Sequence, residues 1–159
     1  MTNFLEQLAA EYYSHMDYFV RTNVKYGLRK KGGYEGEMDV VAFHSESLTL
    51  LHIETSMDAD SCEKRKSKFQ KKFSTAHEYY HRLFKFEIKK IEKMVVVGFS
   101  PPREDFWSVA PIKSIPDFIG EVAEYVEQFH PINHAVSENY PLLRAIQFTT
   151  HYDNRLRKL

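Results

Sequence analysis

The segment GEMDVVAFHSESLTLLHIETS, Gly36 to Ser56, decides the fold that we predict for this chain of 159 residues. Met38 to Phe43 and Leu48 to Thr55 are rich in apolar and β-branched side chains, and the residues 44–47 between them are mostly polar. This pattern predicts a β-hairpin. Acidic residues interrupt both runs, although strands are normally depleted of acids. The placement of these acids is therefore informative about function.

Pairing across a four-residue turn would place Asp39 opposite His52, and Glu37 opposite Glu54. Because side chains alternate between the two faces of a strand, these four and Ser56 would share one face. Opposed and diagonal side chains of paired strands lie about 4.5–8 Å apart, so Asp39 and Glu54 are close enough to bind one cation. Carboxylates at that separation repel each other unless they are solvated, protonated or neutralised. Their oxygen ligands favour Mg²⁺ or Mn²⁺.

Elements on both sides of the hairpin predict an α/β fold with a mixed central sheet flanked by helices. The predicted elements are a helix over 3–19, a strand over 19–26, a loop or an irregular extension over 27–36, a helix over 61–84 capped by Asp60 and Glu63, a strand over 93–99, and helices over 116–129 and 138–149. A helix separates the third strand from the fourth, so these two strands are expected to pair in parallel.

Length and composition limit the class of protein. A chain of 159 residues with 43% hydrophobic residues suits a single domain over residues 1–159. Cys62 is the one cysteine, so no internal disulfide can form. The sequence contains no signal-peptide pattern and no apolar run of about 20 residues. We therefore expect a cytoplasmic protein with no membrane partner.

The net charge of zero argues against a uniformly basic nucleic-acid binder, but the charges are unevenly distributed. Acids concentrate between Glu35 and Glu63. Basic clusters lie at residues 25–31, 64–72, 85–93 and 155–158. An acidic centre between basic flanks suits a polyanion held across a bound cation. For any one cluster, an ordinary solvated surface is the alternative interpretation.

The motif residues Gly36-Glu-Met-Asp39 and Glu54-Thr-Ser56, after an N-terminal helix and before a long helix, resemble the PD-(D/E)xK (restriction-endonuclease-like) nuclease superfamily. The resemblance covers roughly residues 1–100. It implies an αβββαβ core, here with extra C-terminal helices. It also implies a Mg²⁺-dependent endonuclease that cuts DNA, with RNA left open as a substrate.

The resemblance also implies roles for particular residues. Asp39 and Glu54 would be the Mg²⁺ (or Mn²⁺) ligands, and the main-chain carbonyl of Thr55 would assist them. A second ion would be supported by Glu37 and by an acid of the first helix, Glu6 or Glu11. The reaction that this set serves is phosphodiester hydrolysis, in which a metal ion activates water and polarises the phosphoryl oxygen.

Ser56 departs from the superfamily pattern, which has a lysine at this position. A serine hydroxyl can bond a water or a phosphate but carries no positive charge. Members of the superfamily relocate this lysine, and Lys64 and Lys68, one turn apart on the next helix, are the candidates. Otherwise the chain is a catalytically inactive module that binds nucleic acid or serves assembly. A third class is a homodimer formed through exposed aromatic residues.

Overall fold

The computed structural model describes residues 3–57, 60–98 and 110–156. The helices and strands in these ranges are α1 (Phe4–His15), β1 (Phe19–Leu28), β2 (Tyr34–His44), β3 (Thr49–Ser56), α2 (Cys62–His77), α3 (Tyr80–Leu83), β4 (Lys90–Val97), β5 (Ile112–Ser114), α4 (Ile115–Glu127) and α5 (Pro141–Leu156). Phe99, the predicted end of the fourth strand, and the basic cluster at 155–158 lie outside the described side chains.

The described strands form one mixed sheet in the order β1-β2-β3-β4-β5. β1, β2 and β3 pair antiparallel, whereas β3 with β4 and β4 with β5 pair in parallel. The helices between β3 and β4 therefore form the predicted parallel crossover, and the α/β fold class is confirmed. β5 has only three residues, which are too few to show a strand pattern in the sequence.

Apolar side chains cover both faces of the sheet, and the alternation along β2 and β3 separates the two layers. On one face, Val40 and Ile53 pack in the cluster that includes α1, α4 and α5. On the other face, Val41 and Leu50 pack with Tyr80 of α3. Full burial of a side chain such as Leu50 contributes about 1.5–3 kcal/mol. Both layers are therefore needed to hold the helices that approach the acidic strands.

β1 and β2 form a second hairpin, and both strands are longer than predicted. The prediction of a loop or an irregular extension over residues 27–36 is wrong at both ends, because Tyr26 pairs with Gly36 and Leu28 with Tyr34. Only residues 29–33 form the turn, where Gly32 and Gly33 have φ values of 88° and 81°. The glycines supply the turn, and strand pairing continues on both sides of it.

The predicted helix over 61–84 is interrupted. α2 ends at His77, and α3 begins at Tyr80 after the two residues of the break. Ser61, rather than Asp60, is the N-cap residue of α2 and accepts the Lys64 N–H at 3.5 Å. Beyond the break, the Tyr80 side chain is fully buried. The break thus lets Tyr80 enter the layer beneath the sheet.

Local side-chain caps determine where α1 and α4 begin. Asn3 accepts the N–H groups of Leu5 and Glu6, and the Glu6 carboxylate accepts the Asn3 N–H, which completes a capping box. Ser114 caps α4 by accepting the Asp117 N–H at 3.2 Å. In the part of the chain that the structure describes, no helix has both the length and the apolar character needed to cross a membrane.

Candidate functional site

Asp39 and Glu54 lie on neighbouring strands and on one face of the sheet, as predicted. The register between β2 and β3, however, is shifted by two residues from the predicted register. His52 pairs with Val41 rather than with Asp39, and the same register continued places Asp39 opposite Glu54. The difference arises because the turn occupies residues 45–48. A shift of two residues keeps each side chain on its face of the sheet, so the predicted grouping on one face is retained.

Lys72 of α2 supplies a positive charge between the two carboxylates. Its ammonium donates to Asp39 Oδ1 at 3.1 Å and also contacts Glu54 Oε2. The Thr55 N–H donates to the other Asp39 oxygen, Oδ2, at 2.8 Å. One cation thus bridges the two acids, and a main-chain donor orients Asp39 from the opposite side.

The structure does not place either predicted lysine at this position. Lys64 is 77% exposed and its ammonium lies 3.8 Å from Asp60, and Lys68 is also exposed. An α-helix rises about 1.5 Å per residue, so Lys72 lies about 12 Å further along α2 than Lys64. The three lysines share a helical spacing of four residues. The sequence pattern therefore could not indicate which of them reaches the sheet.

A buried hydrogen-bonded chain, which was not predicted from the sequence, lies behind Glu54. His52 Nε2 lies 2.7 Å from Glu54 Oε1, and His52 Nδ1 lies 2.6 Å from the Tyr80 hydroxyl. An ionised carboxylate only accepts, so His52 donates its Nε2–H to Glu54 and accepts the Tyr80 O–H at Nδ1. This arrangement holds Glu54 with Oε2 toward Lys72. Tyr80 is 28 residues from His52, and no local pattern relates them.

Burial shifts the pKa values of the groups at the site. Burial raises the pKa of Glu54. Burial and the nearby charge of Glu54 raise the pKa of Asp39, and the positive charge of Lys72 opposes both increases. Burial alone would lower the pKa of Lys72, but the two carboxylates outweigh it and raise that pKa. Burial lowers the pKa of His52 to about 3, so its ring is neutral. For both carboxylates, the effect of burial on the pKa therefore outweighs the opposing effect of the Lys72 ammonium.

The α1 acid beside this pair is Glu6. Burial, then the charge of Asp39 and more weakly that of Glu37, raises the pKa of Glu6. Asn3 links the same helix start to β3, because its Nδ2 donates to Thr55 Oγ1 at 3.2 Å. Glu37 is half-buried and pairs in the strand register with a residue of β1. The negative charge at the site thus extends beyond the bridged pair.

Glu11, the other predicted acid of α1, lies elsewhere. Its Oε2 accepts the Leu143 N–H at 2.9 Å in the first turn of α5, and its Oε1 accepts from Gln7 at 2.9 Å. Residues five apart on a helix point in different directions, so Glu6 and Glu11 cannot serve one site. Glu11 instead stabilises the N-terminal end of α5.

Ser56, at the position of the missing lysine, ends β3. The residue is buried, and its carbonyl accepts the Gly98 N–H at 2.9 Å. It follows Glu54 by two residues on the same strand and therefore lies on the same face. A catalytic role for Ser56 and a metal-ligand role for the Thr55 carbonyl stay predictions.

The donor set at the site fits a hard cation with few protein ligands. Within residues 3–57, 60–98 and 110–156, no group of three or more His, Cys, Asp or Glu side chains is arranged to hold a metal ion. Asp39 and Glu54 nevertheless converge on one cation, the Lys72 ammonium. Proteins commonly bind Mg²⁺ through one or two carboxylates, with waters and substrate phosphates as the other ligands. Asp39 and Glu54 would hold such an ion.

Comparison of the chain with protein-family models, with curated proteins and with solved structures found no match in any of the three. The resemblance to the PD-(D/E)xK superfamily therefore rests on the motif residues and on the order of the elements around them.

The neutral His52 predicts a loss of stability in mild acid. Its pKa of about 3 in the folded chain lies below the value of about 6.5 for an unfolded histidine, so only the unfolded chain binds this proton as the pH falls from 6.5. The contribution of His52 to the free energy of unfolding should fall by up to about 1.4 kcal/mol per pH unit between pH 6.5 and 5. Urea denaturation in EDTA at several pH values measures it.

The variant His52→Gln is the control for this effect, because it keeps an amide that can donate to Glu54 but does not titrate. Asp39 and Glu54 have raised pKa values, which act in the opposite direction, because the folded chain takes up their protons first. Both proteins contain these acids, so the difference between their pH profiles isolates His52. Equal slopes in the two proteins would contradict a neutral buried ring.

Proposed function

We propose that this chain is a metal-dependent nuclease that hydrolyses phosphodiester bonds in DNA and has a restriction-endonuclease-like core. The observation that supports the proposal is the convergence of Asp39 and Glu54 on one cation from α2, Lys72. The element order from α1 to β4, with α3 as a short extension of α2, agrees with the αβββαβ order that the resemblance implies.

The relocated lysine in this proposal is Lys72. Its side chain is 28% exposed, and its four-carbon stem allows the ammonium to turn from the carboxylates toward a bound phosphate. There it would offset the negative charge that develops as water attacks the phosphorus. Asp39 and Glu54 would hold Mg²⁺ or Mn²⁺, which when bound supplies a Lewis acid and lowers the pKa of a water ligand.

His52, Tyr80 and Thr55 would orient the ligands in this scheme. His52 and Tyr80 hold the Glu54 carboxylate from behind, and the Thr55 N–H holds Asp39. Hydrogen bonds of this kind fix the direction of ligand lone pairs, and their loss typically lowers metal affinity by about 10- to 100-fold. They therefore position ligands and do not contact the reacting atoms.

A specific observation also supports the catalytically inactive module. The Lys72 ammonium and the Thr55 N–H already donate hydrogen bonds to Asp39, and Lys72 and the neutral His52 donate to Glu54. The two acids therefore form a connected network with protein groups alone. Such a network can serve the fold alone. In that case the chain would bind nucleic acid or a partner without cleaving it.

Binding of Mn²⁺ to the folded chain distinguishes the two functions. An ion present at 100 times its Kd stabilises the native state by about 2.7 kcal/mol. We therefore expect Mn²⁺ to raise the melting temperature of the wild-type chain, measured by calorimetry, and Asp39→Asn to remove that rise.

Asp60→Asn provides a matched control, because it makes the same chemical change at a partly exposed aspartate that pairs with Lys64 at the start of α2. This variant should keep the response to Mn²⁺. A wild-type chain that shows no stabilisation by Mn²⁺ or Mg²⁺, yet binds DNA, would favour the inactive module.

A further inference from the structure

A two-stranded ribbon extends beyond the sheet next to the candidate site. β2 pairs with β3 only from Val40 to His44, whereas it pairs with β1 from Tyr34 onward. Residues 34–38 of β2 therefore pair with β1 alone. From Asp39 to the turn at 29–33 the strand spans about six residues, which is about 20 Å at 3.3 Å per residue.

The tip of this ribbon is basic. Arg29, Lys30 and Lys31 are consecutive and all exposed. Beside them, Leu28 is 75% exposed and Tyr34, directly across the ribbon, is 46% exposed. Three adjacent positive charges and the Tyr34 hydroxyl form a surface suited to phosphates.

The ribbon packs against α2 and the break that follows it. The rings of Tyr26 and Tyr79 lie 5.1 Å apart, and the Tyr79 hydroxyl donates to Glu35 at 2.8 Å. Gly36 permits this packing, because a Cβ at that position would overlap the buried Tyr26 hydroxyl. These contacts place the ribbon next to Lys72, whose carbonyl lies 3.5 Å from the Tyr26 hydroxyl.

We propose that this ribbon is a substrate arm, whose tip binds the phosphate backbone of double-stranded DNA while the scissile phosphate lies at Asp39 and Glu54. A two-stranded ribbon fits the major groove of B-DNA, which is about 12 Å wide. A reach of about 20 Å corresponds to about six base pairs. This inference rests on the proposed function, which takes DNA as the substrate. It adds that the DNA is double-stranded and that the ribbon of β1 and β2 binds it.

Binding of a fluorescein-labelled DNA duplex, measured by anisotropy in EDTA over a series of NaCl concentrations, tests the arm without cleavage. For the triple variant Arg29→Ala/Lys30→Ala/Lys31→Ala we expect a Kd at least about tenfold higher and a slope of log K against log salt smaller by up to about 3. Its melting temperature should equal that of the wild type, because these side chains are exposed.

A second triple variant is the matched control, and it removes the same charge from exposed residues at the other end of the sheet: Lys85→Ala/Lys89→Ala/Lys90→Ala. Lys90 pairs with Thr49, which pairs with His44, so this end of β2 lies about as far from Asp39 as the ribbon tip does. The control should change the slope by less than about 1.

Three results would overturn the inference: a folded ribbon-tip variant that binds the duplex like the wild type, a control variant that loses as much affinity, or a wild-type chain that binds no duplex. An equal loss on a single-stranded oligonucleotide would overturn the assignment to a duplex. The binding assay in EDTA is independent of cleavage. If duplex binding depends on the ribbon tip but the wild-type chain never cleaves DNA with Mg²⁺, the substrate arm stands and the nuclease proposal is overturned.

Discussion

Replacing Glu54 by glutamine is expected to abolish Mg²⁺-dependent cleavage of plasmid DNA, with a loss of about 1000-fold or more, or about 4 kcal/mol in the barrier. Glu54 is the fully buried member of the acidic pair, and its Oε2 faces the bridging cation. The substitution removes the negative charge but keeps the side-chain shape and an oxygen that can accept the His52 N–H. Conversion of supercoiled plasmid to nicked and linear forms measures the effect.

Glu11→Gln is the matched control for Glu54→Gln, because it changes another buried glutamate in the same way. Glu11 serves the first turn of α5 and lies away from the bridging cation. The variant should lose about 1 kcal/mol of stability, as expected for a weakened helix cap, and retain cleavage. A folded Glu54→Gln chain that cleaves as fast as Glu11→Gln would exclude the proposed site.

Replacing Lys72 by methionine should both destabilise the chain and prevent cleavage. Removing one member of a buried ion pair costs about 3–5 kcal/mol, and the partial exposure of Lys72 places this case near the lower value. If Lys72 is the relocated lysine, cleavage should fall by about 100-fold or more. Urea denaturation in EDTA and plasmid cleavage under conditions where the variant is folded measure the two effects.

The response to Mn²⁺ tests whether the Lys72 ammonium and a metal ion compete for the same two carboxylates. With the ammonium removed, Asp39 and Glu54 lack their bridging cation, and Mn²⁺ should stabilise Lys72→Met more than it stabilises the wild type. Lys68→Met is the matched control one helical turn away. This exposed position should change stability by no more than about 0.5 kcal/mol and should retain cleavage. Equal stability and activity in the two variants would contradict the assignment of Lys72.

The predicted hairpin and its acidic face illustrate how local patterns lead to a correct arrangement. Alternation along two strands placed Asp39, His52 and Glu54 on one face, and a register error of two residues did not change that result. The same error did assign the wrong partner to Asp39, because the turn residues 44–47 and 45–48 are nearly equivalent in composition. The register between β2 and β3 is set by the turn that lets the side chains of both strands pack in the folded sheet.

The ribbon and the helix break show where composition misleads. Glycines and polar residues over 27–36 indicated a loop or an irregular extension, but the strands continue, and Tyr26 packs against Gly36 and Tyr79. The apolar spacing of residues 61–84 indicated one helix, but the chain turns before Tyr80. Both differences depend on contacts between residues that are distant in the sequence.

The sequence by itself determined the α/β class, the parallel crossover and the presence of two strand carboxylates on one face, because alternation and chain connectivity act over short distances. Only the tertiary structure decided that Lys72 meets those carboxylates, that His52 and Tyr80 support Glu54, and that Glu11 serves α5. The physical reason is that lysines four residues apart are equivalent along a helix, and only the docking of that helix on the sheet selects one of them.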